Sequence, residues 1–343
     1  MQTVELTEPG VFEHRERDRP DPAPGEILVR VTHVGICGSD IHYYEHGRIG
    51  DYVVEEPLIL GHESAGEVAA VGDGVTEFEP GDEVTLEPGV PCGECARCRA
   101  GEYNLCPDVE FMATPPDHGA FAEYVAWDAD FAYGLPESVS TRAGALCEPL
   151  SVAIHVARRA DVELGDSVLV SGAGPIGMLV GEAARAAGAG SVLVSDVVET
   201  KLERAAEYGA TATVNVAEES LTDTVDEFTD GEGVDVVIEA SGAAQSVKST
   251  VDAVRRGGTV VCVGLAAEDE IPIQTNEIVD KELDFKGSFR FRNTYDDAVS
   301  LLERGAVDVE RIIDFEMPMS DLTAAFERAT EPDVVKGMVR VGE

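Results

Sequence analysis

The chain has no apolar run approaching the roughly 20 residues that a membrane-spanning helix needs. Its N-terminus also lacks the basic-then-apolar pattern of a secretory leader, so a soluble intracellular protein is expected. Internal repeats and low-complexity stretches are missing. Positive charge is scarce. Only Lys201, Lys248, Lys281, Lys286 and Lys336 are lysines, and the rest of the 25 basic residues are Arg, against 67 acidic ones, for a net charge of −42. That balance excludes binding to DNA or to an anionic membrane. The acids are dispersed along the chain, which argues against a disordered acidic tail. A Debye length of about 3 Å at 1 M salt would screen such self-repulsion, so a salt-rich cytosol, hence a halophilic source, is expected. At 343 residues the chain can bury a large core and is expected to form two domains.

What is present begins with cysteine. Cys37 lies in Gly35-Ile-Cys-Gly-Ser-Asp40, just after the strand-like run from Ile27 to Val34. Twenty-five residues later stand His62 and Glu63, in Gly61-His-Glu-Ser-Ala-Gly66. Thiolate, imidazole and carboxylate together can hold one zinc ion and leave its fourth position open, as catalysis requires. Cys92, Cys95, Cys98 and Cys106 form C-x2-C-x2-C-x7-C in a Gly- and Pro-rich segment from Pro88 to Pro107. That spacing wraps a loop around a second, fully closed tetrahedral zinc, a structural one. A reducing cytosol disfavours the disulfide alternative. Cys147 and Cys262 read as packing residues.

A second signature starts at the strand-like Ser167 to Ser171, which is followed by Gly172-x-Gly174-Pro175-Ile176-Gly177 and a helical run from Met178 to Ala187. The first glycine permits a tight turn, the second lets the backbone approach a pyrophosphate, and the third lets the helix pack on the strand. The next strand, Ser191 to Ser195, leads into Asp196, where a carboxylate would take the ribose hydroxyls of NAD and repel the 2′-phosphate of NADP. Lys201 is placed to pair with a phosphate, so NADP stays the lesser alternative. Helical runs at Glu199–Tyr208, Leu221–Phe228 and Ala244–Arg255 alternate with strands at Thr213–Val216, Val234–Glu239 and Thr259–Val263. This is the pattern of an α/β fold with a doubly wound parallel sheet over residues 151–287. Before residue 150 the runs are short and β-like. They predict a β-rich catalytic domain over 1–150, completed by 288–343 and carrying the zinc lobe at 88–107.

Together these motifs resemble the zinc-dependent medium-chain dehydrogenases, in which a Gly-His-Glu-x-x-Gly stretch, with a Gly and a Val beyond it (here Gly72 and Val75), follows the first ligand Cys. The likeness runs from about Glu5 to the C-terminus. Within the family it is greatest to sorbitol and polyol dehydrogenases. The segments Cys37–Gly50, Phe111–Asp117, Glu148-Pro-Leu-Ser-Val152 and Phe289-Arg-Phe-Arg-Asn-Thr294 carry it. The resemblance implies a GroES-like catalytic domain, a Rossmann NAD-binding domain and a dimer or homo-tetramer.

It also implies roles. Glu148 would lie at the catalytic zinc, directly or through water, and trade places with Glu63. Other zinc alcohol dehydrogenases bind the metal there through a Cys, and Cys147 is adjacent. Tyr43, Phe111 and Thr114 match substrate-pocket positions, and Arg290 matches an Arg near cofactor and substrate. Val263, Gly264, Leu265, Ser288 and Phe289 match positions flanking the nicotinamide. Position 291 is Phe where sorbitol dehydrogenases carry a Tyr whose hydroxyl touches the polyol, which should alter preference among polyols. Ser39 and His42, two and five residues past Cys37, are placed to relay the released proton. The expectation is a zinc enzyme that passes a hydride from a secondary hydroxyl of a sugar alcohol, at C2, to NAD, giving the ketose. L-threonine, an aldose or a simple secondary alcohol are the alternative substrates, and a non-catalytic nucleotide-binding relative is the remote one.

Overall fold

The computed structural model describes residues 1–266, 268 and 270–342. The chain folds as two units, Met1–Glu148 with Tyr295–Glu343, and Pro149–Thr294. The chain returns to the first unit at Tyr295, not at Ser288. The intervening segment is tied to the second unit, because Ser288 N donates to Cys262 O at 2.9 Å and Arg158 Nη1 donates to Asn293 O at 2.7 Å. Tyr295 is fully buried in the first unit, its hydroxyl donating to Leu86 O at 2.9 Å.

The first unit is built on a seven-stranded sheet. Its central strand, Glu26–Gly35, pairs antiparallel with Glu63–Val71 on one side. On the other side, Tyr124–Asp128 covers its first half and Lys336–Arg340 its end. Register is what matters for function. Gly35 sits opposite Glu63 on one side and Met338 on the other, so the ends of three strands meet at one place. Val34, Ile36, Leu60, Phe121 and Phe326, all nearly inaccessible, pack beneath that junction. Full burial of side chains this size stabilises by about 1.5–3 kcal/mol each.

The second unit carries six parallel strands in spatial order Ala212–Asn215, Ser191–Asp196, Ser167–Ser171, Val234–Glu239, Val254–Cys262, Asp284–Gly287. Numbered within the unit this is 3-2-1-4-5-6, and the order reverses between Ser167–Ser171 and Val234–Glu239. A crevice at the carboxyl ends of those two strands is where such sheets bind ligands. The central strands Ser167–Ser171, Ser191–Asp196 and Val234–Glu239 are buried along most of their length, as in parallel sheets packed on both faces. Helix Pro175–Ala187 opens with Pro at its first position, where a missing N–H costs nothing. Most elements shift by only a residue or a few from the sequence pattern, but two adjoining ones differ in kind at their junction. The helix from Ala244 ends at Ala253, and the following strand starts at Val254, because Val254 is buried and pairs with Val234.

Candidate active site and zinc centres

Cys37 follows the end of the central strand and caps the helix Gly38–His46, while His62 and Glu63 lead into the neighbouring strand. The ligand atoms of Cys37, His62 and Glu63 all lie within 4.8 Å of one another. Gly35 makes this possible, since a Cβ there would stand 1.9 Å from Glu63 Oε2. Asp40 ties the two arms together. Fully buried, it accepts from Cys37 N and from Gly61 N, both at 3.0 Å, and its Oδ1 lies 3.4 Å from His62 Nδ1.

The centre is electrostatically built for a cation. Burial opposes charge on His62, yet Asp40 and Cys37 carry its pKa well above the ordinary value. Glu63 Oε2 is buried and unpartnered among the described residues. A thiolate, an imidazole and an unsatisfied carboxylate oxygen match the donor chemistry of a zinc ion with one position left open. Glu148 lies outside the trio, in the first turn of Cys147–Arg159. It is buried within electrostatic reach of His62 and Glu63, and burial pushes its carboxyl up to about 7. Tyr43 hydrogen-bonds Thr114, and its burial raises the phenol to about 12. The Phe111 ring centroid is 6.0 Å from that of His62. The structure thus brings Tyr43, Phe111, Thr114 and Glu148 around the trio. Ser39 is half-buried and His42 exposed on the helix that Cys37 caps, three residues apart and so on one face.

The four later cysteines form the second centre. Cys92 Sγ lies 4.0 Å from Cys98 Sγ and 3.5 Å from Cys106 Sγ, and Cys95 and Cys98 are 3.5 Å apart. Four thiolates at about 2.3 Å from one zinc would stand roughly 3.8 Å apart, so these spacings suit a tetrahedral ion. All four are free thiols. Donation from Cys98 N–H pulls the Cys95 thiol down to about 7.

In the second unit, Gly172 takes φ +110°, and a Cβ at Gly177 would fall 1.8 Å from Gly172 O, so the helix sits directly on the turn. A Cβ at Gly174 would meet nothing within 4 Å, which leaves the loop open to a ligand. Asp196 ends its strand and accepts from Ala173 N at 2.7 Å and from Val197 N and Val198 N. Lys201 lies in the first turn of the next helix. Val263 N and Gly264 N both donate to Glu239 O, Leu265 is exposed, and Ser288 Oγ is buried without a partner among the described residues. Arg290, at φ +51°, covers the half-exposed Phe289 ring at 4.9 Å. An open glycine cradle, a strand-end carboxylate and an orphaned hydroxyl fit a dinucleotide.

Two family models match. The alcohol dehydrogenase GroES-like domain spans residues 23–137, and the zinc-binding dehydrogenase domain spans 175–304. The chain belongs to the zinc-binding alcohol dehydrogenases. This dehydrogenase is 45% identical to sorbitol dehydrogenase of Bacillus subtilis (strain 168) over 312 residues, 91% of this chain and 88% of that one. It is 43% identical to sorbitol dehydrogenase of Mus musculus over 324 residues, 94% and 90% of the two chains. Among solved structures, an Escherichia coli oxidoreductase/dehydrogenase of unknown specificity superposes with a TM-score of 0.96 at 37% identity, covering 100% of this chain and 99% of that one. L-idonate 5-dehydrogenase from Escherichia coli superposes at 0.89 and 30% identity, covering 99% and 97%. Zinc and a nicotinamide cofactor come with this family.

Sequence reasoning missed two residues beside the trio, Asp40, next to His62, and Lys336, whose Nζ donates to Glu63 Oε1. Asp40 was within reach, since it lies three residues past Cys37. Lys336 had a fainter signal. It is one of only five lysines and interrupts the apolar run Val334-Val-Lys-Gly-Met-Val339, where a charge needs a partner.

Proposed function

We propose that this dehydrogenase oxidises a secondary hydroxyl of a sugar alcohol such as sorbitol, xylitol or arabinitol, at C2, to the ketose, with NAD as hydride acceptor. The observation that carries the reading is the 45% identity to a sorbitol dehydrogenase over 91% of the chain, combined with a complete Cys37–His62–Glu63 trio. Cys37, His62 and Glu63 would hold the catalytic zinc, with Glu148 beside them, and Cys92, Cys95, Cys98 and Cys106 the structural one. Bound at the trio, zinc supplies the Lewis acidity that makes a substrate hydroxyl acidic near neutral pH. The nicotinamide, when bound, supplies the acceptor chemistry. The chain's own residues do the rest. Tyr43 and Thr114 present polar atoms and Phe111 an apolar face to the substrate. Ser39 accepts the hydroxyl proton and His42, in water, takes it onward. The glycine loop from Gly172 to Gly177 holds the pyrophosphate. Asp196, at its strand end, favours NAD over NADP by repelling a 2′-phosphate. Dimers or tetramers are the expected assembly.

A neutral, hydroxyl-rich substrate also suits a protein of net charge −42. The test is a panel of polyols, L-threonine, glucose and simple secondary alcohols with each cofactor at high KCl, followed by absorbance of the reduced nicotinamide. Polyols with NAD should give the highest kcat/KM. Turnover of threonine or glucose without any polyol would replace the proposed substrate.

A further inference from the structure

Lys336 has no part in the chemistry above, yet it is buried beside the zinc trio. It is 2% exposed, and its Nζ donates to Glu63 Oε1 at 2.5 Å and to Ile36 O at 2.9 Å. Its own backbone is fixed, because Asp314 Oδ2 accepts from Lys336 N at 3.0 Å and from Val335 N at 2.6 Å. The two oxygens of Glu63 are therefore unlike. Oε1 is held by an ammonium, while Oε2 is pressed against Gly35, buried and unpartnered among the described residues. A second carboxylate, that of Glu148, is buried close by and feels Lys336 only through space. Two carboxylates thus stand near a site with room for one more donor, and the ammonium is bonded to only one of them.

We propose that Lys336 is a positioning residue that decides which carboxylate binds the metal. Its hold on Oε1 leaves Oε2 of Glu63 as the ligand and keeps Glu148 off the ion. The physical reason is that a buried carboxylate held by an ammonium needs no further search for a rotamer, whereas Glu148 would have to move to bind. The ammonium also offsets part of the negative charge that Cys37, Asp40, Glu63 and Glu148 place around one divalent cation. This inference rests on the trio being a zinc site, but not on the substrate.

The experiment measures zinc affinity of the full chain in high KCl by chelator competition, with the visible spectrum of the cobalt-substituted protein as a second readout. Lys336→Met should weaken the trio's zinc by about 10–100-fold, the usual cost of losing a partner that orients a ligand. It should also shift the cobalt bands, while the Cys92–Cys106 zinc and the far-UV spectrum stay unchanged. Lys336→Arg, which keeps the charge, should recover most of the affinity and secures the comparison if the Met variant folds poorly. Glu148→Gln should cost little in the parent, at most about threefold, but about tenfold or more in the Met background, where Glu148 has taken over as ligand. Equal effects of Glu148→Gln in both backgrounds, or a Met variant that binds zinc as tightly as the parent, would overturn the role of Lys336. A parent chain that binds zinc at the cysteine lobe alone, and none at the trio, would overturn the zinc-site reading itself.

Discussion

At the scale of single residues, the arrangement turns on buried charges whose pairing is set by the fold. Asp40 and Lys336 lie in different parts of the chain and meet at the trio because strand register brings Gly35, Glu63 and Met338 side by side. Spacing along the sequence could reveal Cys37, His62 and Glu63 as donors but not the ammonium behind them. Glu87 shows the same blindness. It stands at the base of the cysteine lobe, 2% exposed, and receives hydrogen bonds from Tyr103 and Tyr133, both at 2.9 Å, with Asp296 as a further negative neighbour. Burial, joined by Asp296, outweighs the two hydroxyl donors and raises its carboxyl from 4.5 to about 7. A folded pKa above the unfolded one means that the folded state binds the extra proton. The associated stability is complete below about pH 4.5 and is lost as pH rises through about 7, on the order of 3 kcal/mol in all. Thermal unfolding of Glu87→Gln should accordingly lose less stability than the parent between pH 5 and pH 8.5. Parallel pH profiles for the two proteins would contradict this.

At the scale of elements, the dinucleotide unit was the legible half. Ser167–Ser171, Leu221–Phe228 and Val234–Glu239 have the bounds that their apolar patterns indicate, since buried parallel strands and amphipathic helices are locally encoded. Where the pattern misled, a tertiary contact won. Residues 254 and 255 continue a helical run, but Val254 is drawn into the sheet beside Val234. The β-rich unit was legible only in kind, because antiparallel register joins segments as distant as Gly35 and Met338. The cysteine lobe needed no such contact. Four donors within 15 residues close on one another whatever the rest of the chain does, and in the structure they do.

At the scale of the whole molecule, a net charge of −42 on 343 residues should make the fold depend on salt. We expect the melting temperature to rise steadily from about 0.1 M to multimolar KCl as repulsion is screened. A melting temperature that stays flat would remove the argument for a salt-rich cytosol. The central claim is that zinc held by Cys37, His62 and Glu63 drives polyol oxidation. Its most direct test follows NADH formation from sorbitol or xylitol, at high KCl, while the trio's zinc is chelated and then returned. The account predicts that activity disappears with the loss of that one zinc, with the cysteine-lobe zinc still in place, and returns when zinc is added back. Polyol oxidation that continues undiminished with the trio empty of metal would contradict it.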